Sequence, residues 1–253
     1  MKLALRVLVA LALTVPAMAD AQPAAKAGSS AKTKSAKARS SASAGRAAPA
    51  KLVADIKPAD PPILPSAEVA RVARWVASSH DNQALPYAII DKTGAALFLF
   101  DAKGEQLAAE PVLIGIAPGD DATPGVGNKS LAEIGPAEKT TPAGRFLAKF
   151  GLPLGGERIL WVDYATSVAL HPIPADAAKK ERRRDRMLSP TPDDNRITFG
   201  CINVPRAFYA KLLRPRFQKK GGYVYILPDT KPIEDVFPRL RVQALVDGDE
   251  SDQ

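Results

Sequence analysis

Glycine turns set between short apolar runs restrict this chain to a mainly β fold. Tyr87-Ala88-Ile89-Ile90 leads into Asp91-Lys92-Thr93-Gly94, and Ala96-Leu97-Phe98-Leu99-Phe100 leads into Asp101-Ala102-Lys103-Gly104. A third run follows over residues 106–116. Glycine accepts the positive φ that tight reversals need, so the pattern predicts a meander of antiparallel hairpins. Short apolar runs at 146–150, 159–164, 167–171 and 223–227 add further strands. Helices are fewer. Ser66 is placed to cap a helix carrying Val69, Val72, Trp75 and Val76 at helical spacing. Pro205 opens a second, with Phe208, Tyr209, Leu212 and Leu213 on one face.

The ends of the chain read differently. Lys2 and Arg6 precede an apolar run over residues 7–15, and Ala17-Met18-Ala19 and Ala19-Asp20-Ala21 are small-residue cleavage sites. That is a secretion signal over residues 1–21, which predicts a periplasmic protein with the signal removed. Residues 22–64 form an Ala/Lys/Ser-rich and then Pro-rich linker with too little apolar surface to fold. The folded domain is expected over 65–246 and a fraying acidic tail over 247–253. Of the 35 Lys and Arg residues, nine precede Val53 against one acid, leaving 26 basic and 26 acidic residues beyond it. The excess of positive charge therefore belongs to the linker. It suits a spacer, or attachment to an anionic envelope surface, and argues against a nucleic-acid face on the domain.

One cysteine in an exported chain has no intrachain disulfide partner. Cys201 follows Gly200 in Arg196-Ile197-Thr198-Phe199-Gly200-Cys201-Ile202-Asn203. A thiol so placed at a tight turn, with a glycine letting the backbone approach a carbonyl, has the form of a nucleophile. It needs a base, and His171, ending the apolar run Val168-Ala169-Leu170, is better placed than His80 at a helix exit. The base needs an acceptor on its other ring nitrogen, which an acid, an amide or a backbone carbonyl would equally supply. Backbone N–H groups of Gly200 and Cys201 are candidates for an oxyanion hole. These parts describe acyl transfer through a thioester. Between His171 and Cys201 lies a charged insert, residues 175–188, expected as an exposed helix.

Thr198-Phe199-Gly200-Cys201-Ile202-Asn203 resembles the active-site signature of the YkuD-type L,D-transpeptidases. Thr141-Pro142-Ala143-Gly144-Arg145-Phe146 is similar to that family's T-P-x-G-x-F turn, and Tyr223-Val224-Tyr225-Ile226 resembles its closing strand. The resemblance runs from about Pro86 to Leu227. It implies a curved β-sandwich and a periplasmic enzyme acting on peptidoglycan stem peptides, without metal or cofactor. It further implies Cys201 as nucleophile, His171 as base, the Pro172 carbonyl as the acceptor orienting that base, and Gly200 in the oxyanion hole. Arg196, Thr198, Phe199 and Asn203 would lie against substrate. Three departures stand out: Phe199 replaces the histidine usual before Gly-Cys, Pro172 replaces the usual glycine after His171, and the His-to-Cys interval is long.

The expected function is L,D-transpeptidation, with an amine accepting the acyl group. Water as acceptor would make the same site an L,D-carboxypeptidase. A protein that binds cell wall without catalysis, its cysteine serving only to pack, is the reading from outside enzymology.

Overall fold

The computed structural model describes residues 62–151 and 158–242. The expected signal segment, most of the linker and the acidic tail lie outside the described residues. Within them the chain forms ten strands: β1 (Tyr87–Asp91), β2 (Ala96–Phe100), β3 (Gln106–Pro111), β4 (Ile114–Gly115), β5 (Gly144–Phe150), β6 (Leu160–Asp163), β7 (Val168–Pro172), β8 (Arg196–Thr198), β9 (Ile202–Val204) and β10 (Gly222–Ile226). Eight of them make one mixed sheet in the order β3-β2-β1-β10-β5-β6-β7-β9, and β4 pairs with β8. The fold is mainly β with few helices, as the strand pattern implies.

Two antiparallel meanders, β1–β2–β3 and β5–β6–β7, supply most of the sheet. Parallel ladders stitch the rest: β10 lies between β1 and β5 and runs parallel to β1, while β9 runs parallel to β7. The sheet then curls until its edges meet. Just beyond β3, Leu113 exchanges both backbone hydrogen bonds with Asn203 of β9, at 3.0 and 2.9 Å. A curled sheet has its edges paired and leaves little backbone unsatisfied.

The alternation of side chains across this sheet builds two cores. Ala88, Ile90, Leu97, Leu99, Leu170, Ile202 and Val224 point to the inner side, where Phe208, Tyr209, Leu212, Leu213 and Phe217 pack onto them. Those residues belong to one continuous helical stretch, α4 (Arg206–Phe208), a π segment (Tyr209–Leu213) and α5 (Arg214–Phe217). Tyr87, Ile89, Phe98, Phe100, Tyr223 and Tyr225 point outward and are covered by α1 (Ala67–Ser79). Ser66 caps α1 by accepting from Val69 N–H at 3.3 Å, and Val69, Val72, Trp75 and Val76 form its buried face. Trp75 meets Tyr225 edge-on at 6.0 Å between ring centroids, and the cross-strand pair Tyr87 and Phe100 stacks at 4.6 Å. Both faces of β1 and β2 are therefore buried, which is why these strands read as unbroken apolar runs.

The charged insert departs from the single exposed helix expected of it. It forms two short helices, α2 (Ala175–Lys180) and α3 (Arg183–Met187), and α3 buries Arg183 and Met187. A helix rich in charge normally faces water. Here one cation has a buried acceptor to meet, as described below.

Glu110 on β3 sits opposite Leu97, so it shares the inner face of the sheet. Burial pushes its carboxyl up from 4.5 to about 7. The folded form holds this proton after the unfolded chain has released it, so stability falls as pH rises from 4.5 to 7 and levels off above. Allowing for partial hydration, the loss is about 2 kcal/mol. Glu110→Gln should abolish that slope and be the more stable protein at pH 8. Urea unfolding of both proteins at pH 5 and pH 8 checks it.

Candidate active site

The sequence around Cys201 changes sheets within three residues. β8 ends at Thr198, paired with β4, and β9 begins at Ile202, paired with β7. Phe199, Gly200 and Cys201 make the corner. Gly200 has φ +120°, and a Cβ on it would lie 2.7 Å from the carbonyl oxygen of Thr140. Only glycine fits both the angle and the space.

Three hydroxyl contacts hold this corner. Thr198 Oγ1 donates to the Cys201 carbonyl at 2.6 Å and accepts from Gly200 N–H at 3.2 Å. Thr141 Oγ1 donates to the Gly200 carbonyl at 2.8 Å and accepts from Gly115 N–H at 2.9 Å. Thr141 opens the Thr-Pro-Ala-Gly-Arg-Phe turn, so that motif braces the backbone just before Cys201. Its own carbonyl accepts from Lys92 Nζ at 3.0 Å. Lys92 is 1% exposed, and its ammonium also meets Gly119 O at 2.6 Å and Asp120 Oδ1 at 2.9 Å. Burial alone would raise the Asp120 carboxyl, but hydrogen bonds from Thr230, Lys92 and the backbone N–H groups of Asp229 and Lys231 hold it well below the usual carboxylate range. Asp229 then pairs with Arg196 of β8 at 2.9 Å. One buried ionic cluster thus ties the loop at 119–120, the Thr141 turn and β8 together.

The β7–β9 register places the candidate base. Leu170 lies opposite Ile202 and His171 opposite Asn203. Leu170 and Ile202 face the inner core, so His171 and Asn203 share the other face, which the residue before Ile202 also faces by alternation. That residue is Cys201. By that register Cys201, just before β9, falls one step along the pair from His171 and diagonal to it. His171 Nδ1 lies 2.8 Å from Pro172 O, and its Nε2 lies 3.3 Å from Asn203 Nδ2. A carbonyl only accepts, so Nδ1 carries the proton and Nε2 the lone pair.

The thiol is half-buried and directed toward the start of β7, away from the His171 end, with Sγ 3.8 Å from Ser167 O, so attack requires a rotation of the thiol toward the imidazole. Burial pushes its pKa up; the Ala169 backbone and the Arg183 charge pull it back down. A thiol held above its ordinary range is not a standing thiolate at neutral pH and depends on a base at the moment of attack.

Thr198 and Asn203 are buried, at 2% and 0% exposure, and their side chains hold the corner and His171. Arg196 is paired with Asp229. The Gly200 N–H, expected at the oxyanion, already donates to Thr198. Phe199 is half-buried and takes the Lys139 ammonium over its ring at 3.8 Å from the centroid. Sequence reasoning missed Arg183, whose Nη1 donates to Asn203 Oδ1 at 2.7 Å and whose Nε donates to Glu181 at 2.6 Å. Nothing in its run of charged neighbours singles it out. Among the described residues, no group of three or more His, Cys, Asp or Glu side chains could hold a metal ion, and no helix is long and apolar enough to cross a membrane.

No family model matches the chain, and no curated protein matches it either. Among solved structures, it is similar to an L,D-transpeptidase (residues 123–326) from Xylanimonas cellulosilytica DSM 15894. The two are 14% identical with a TM-score of 0.36, over 56% of this chain and 60% of that one. A likeness of that strength carries no functional argument, so the reading below stands on the residues.

Gly200→Ala should destabilise the protein by about 1–3 kcal/mol, the cost of forcing a side chain into this backbone region. The same change should slow alkylation of Cys201 by iodoacetamide, because relief of the clash moves the corner. Urea unfolding and a timed alkylation read by intact mass check both.

Proposed function

We propose that this chain is an exported cysteine acyltransferase of the L,D-transpeptidase type, acting on peptidoglycan tetrapeptide stems in the periplasm. The observation that carries the reading is the diagonal placement of Cys201 and His171 on one face of the β7–β9 pair, with His171 Nδ1 bonded to Pro172 O. That arrangement supplies a nucleophile, a base with its lone pair at Nε2, and the acceptor that orients the base. The substrate class comes from the motif resemblance, and the periplasmic setting from the signal segment.

In this mechanism Cys201 Sγ attacks the carbonyl of the third stem residue while His171 Nε2, giving up its 3.3 Å contact with the Asn203 NH₂, takes the thiol proton. The Cys201 N–H stabilises the oxyanion of the tetrahedral intermediate. Collapse breaks the C–N bond to the terminal D-Ala, and His171 returns its proton to the departing amine. An acceptor amine then attacks the thioester, His171 takes a proton from it, and the C–S bond breaks to restore the thiol. The basic linker holds the domain at a distance from, or against, an anionic envelope surface.

Incubating the mature chain with disaccharide-tetrapeptide should give crosslinked dimers with loss of D-Ala, read by mass spectrometry. Cys201→Ala should give none, and His171→Gln should turn over about 10²–10⁴-fold more slowly. Tripeptide without dimer would assign water as the acceptor. Unchanged substrate from the native chain would remove the acyl-transfer reading.

A further inference from the structure

We infer that Arg183, brought into the site by the insert between β7 and β9, is the positioning residue that fixes His171 as a proton acceptor at Nε2. The inference rests on the acyl-transfer reading only in calling His171 the base. Arg183 has hydrogen-bond donors and no acceptor. With Nη1 2.7 Å from the buried Asn203 side chain, it determines which end of that carboxamide faces it, because an NH₂ there would set donor against donor. The Asn203 oxygen is held toward Arg183, and the NH₂ is turned to His171 Nε2 at 3.3 Å. An NH₂ group only donates toward a ring nitrogen, so Nε2 presents its lone pair. The proton stays on Nδ1, where Pro172 O accepts it at 2.8 Å.

The polarity therefore runs one way through four groups, from guanidinium to carboxamide to imidazole to carbonyl. Without the guanidinium the carboxamide is free to turn. Its oxygen would then face Nε2 and favour the tautomer protonated there, which has no lone pair for the thiol proton. Glu181 fixes the other side of the guanidinium, through Nε at 2.6 Å, and the Arg183 side chain is 9% exposed. A buried planar fork with two fixed acceptors is well suited to setting orientation. Among the described residues, the titratable and charged groups gathered at this corner include Arg183 and Glu181 from the insert, the imidazole of His171 from β7, and Lys139 over the Phe199 ring. Of the formal charges among them, Arg183 is the one whose field lowers the thiol.

The test needs no substrate. The chain contains two histidines, His80 and His171, so the imidazole nitrogens of uniformly ¹⁵N-labelled mature protein are readily assigned. Native protein should show His171 with a protonated Nδ1 and an unprotonated Nε2. In Arg183→Met the two nitrogens should move toward averaged shifts, and alkylation of Cys201 by iodoacetamide at pH 7 should fall about tenfold, the effect of one pKa unit on thiolate population. Arg183→Lys, which keeps a donor and a charge, should restore the native pattern. Glu181→Ala, which removes the acceptor on the other side of the guanidinium at a half-exposed position, should shift the ¹⁵N pattern the same way by less, and that readout carries the test if Arg183→Met does not fold by circular dichroism. A folded Arg183→Met with native ¹⁵N shifts and a native alkylation pH profile would overturn the inference, reducing Arg183 to packing. If the Arg183 effects appear but the native chain leaves stem peptides untouched, the positioning role stands and the acyl-transfer reading fails.

Discussion

The parallel register between β7 and β9 is the constraint on which the site depends. Side chains alternate strictly across a strand, so slipping β9 by one residue would send Cys201 and Asn203 into the apolar core and Ile202 and Val204 out of it. The burial of Leu170 against Ile202 forbids that slip. The pair of backbone hydrogen bonds between Leu113 and Asn203 fixes β9 from its other side. Cys201 thus falls on the same face of the pair as His171 because hydrophobic burial and sheet closure agree on one alignment.

Around this register the protein places an unusual amount of buried polarity. Lys92 and Asp120 are removed from water, and desolvation of such a pair offsets much of its Coulombic gain. What the cluster contributes is geometry. The ammonium satisfies Gly119 O, Asp120 and Thr141 O at once, and Thr141 passes that fixed position on to Gly200. Asp120 also gathers Thr230 and the Asp229 and Lys231 N–H groups. A glycine corner with positive φ, packed against a neighbouring carbonyl, needs such outside support. Arg183, Asn203 and Thr198 do the same on the β7 side.

Much of this was legible in the sequence where the signal is local. The β1–β2–β3 meander followed from glycine turns between apolar runs, and α1 from its Ser66 cap and the spacing of Val69, Val72 and Trp75. The parallel pairings were not, because they join segments as distant as Tyr87 and Tyr223, and an apolar run carries no mark of its partner. At the site, Cys201 was visible as the only thiol, His171 as the histidine at a strand end, and Pro172 O through the motif. Thr198 and Asn203 were expected against substrate. Their side chains are instead engaged within the protein, since a sharp corner leaves its backbone and its base in need of short polar partners. Arg183 was hidden because it sits among seven charged residues in an eight-residue run, from Lys179 to Arg186, and only a three-dimensional neighbour, Asn203 Oδ1, distinguishes it.

In the proposed mechanism a thiol raised by burial reacts because a correctly protonated imidazole lies on the same sheet face. Intact-mass analysis after exposure of the mature chain to a carbapenem, an activated cyclic acyl donor, tests it most directly. A single acyl adduct mapped to Cys201, formed at least about 100-fold more slowly in His171→Gln, is the predicted result. No adduct on the native chain, or equal rates with and without His171, would contradict it.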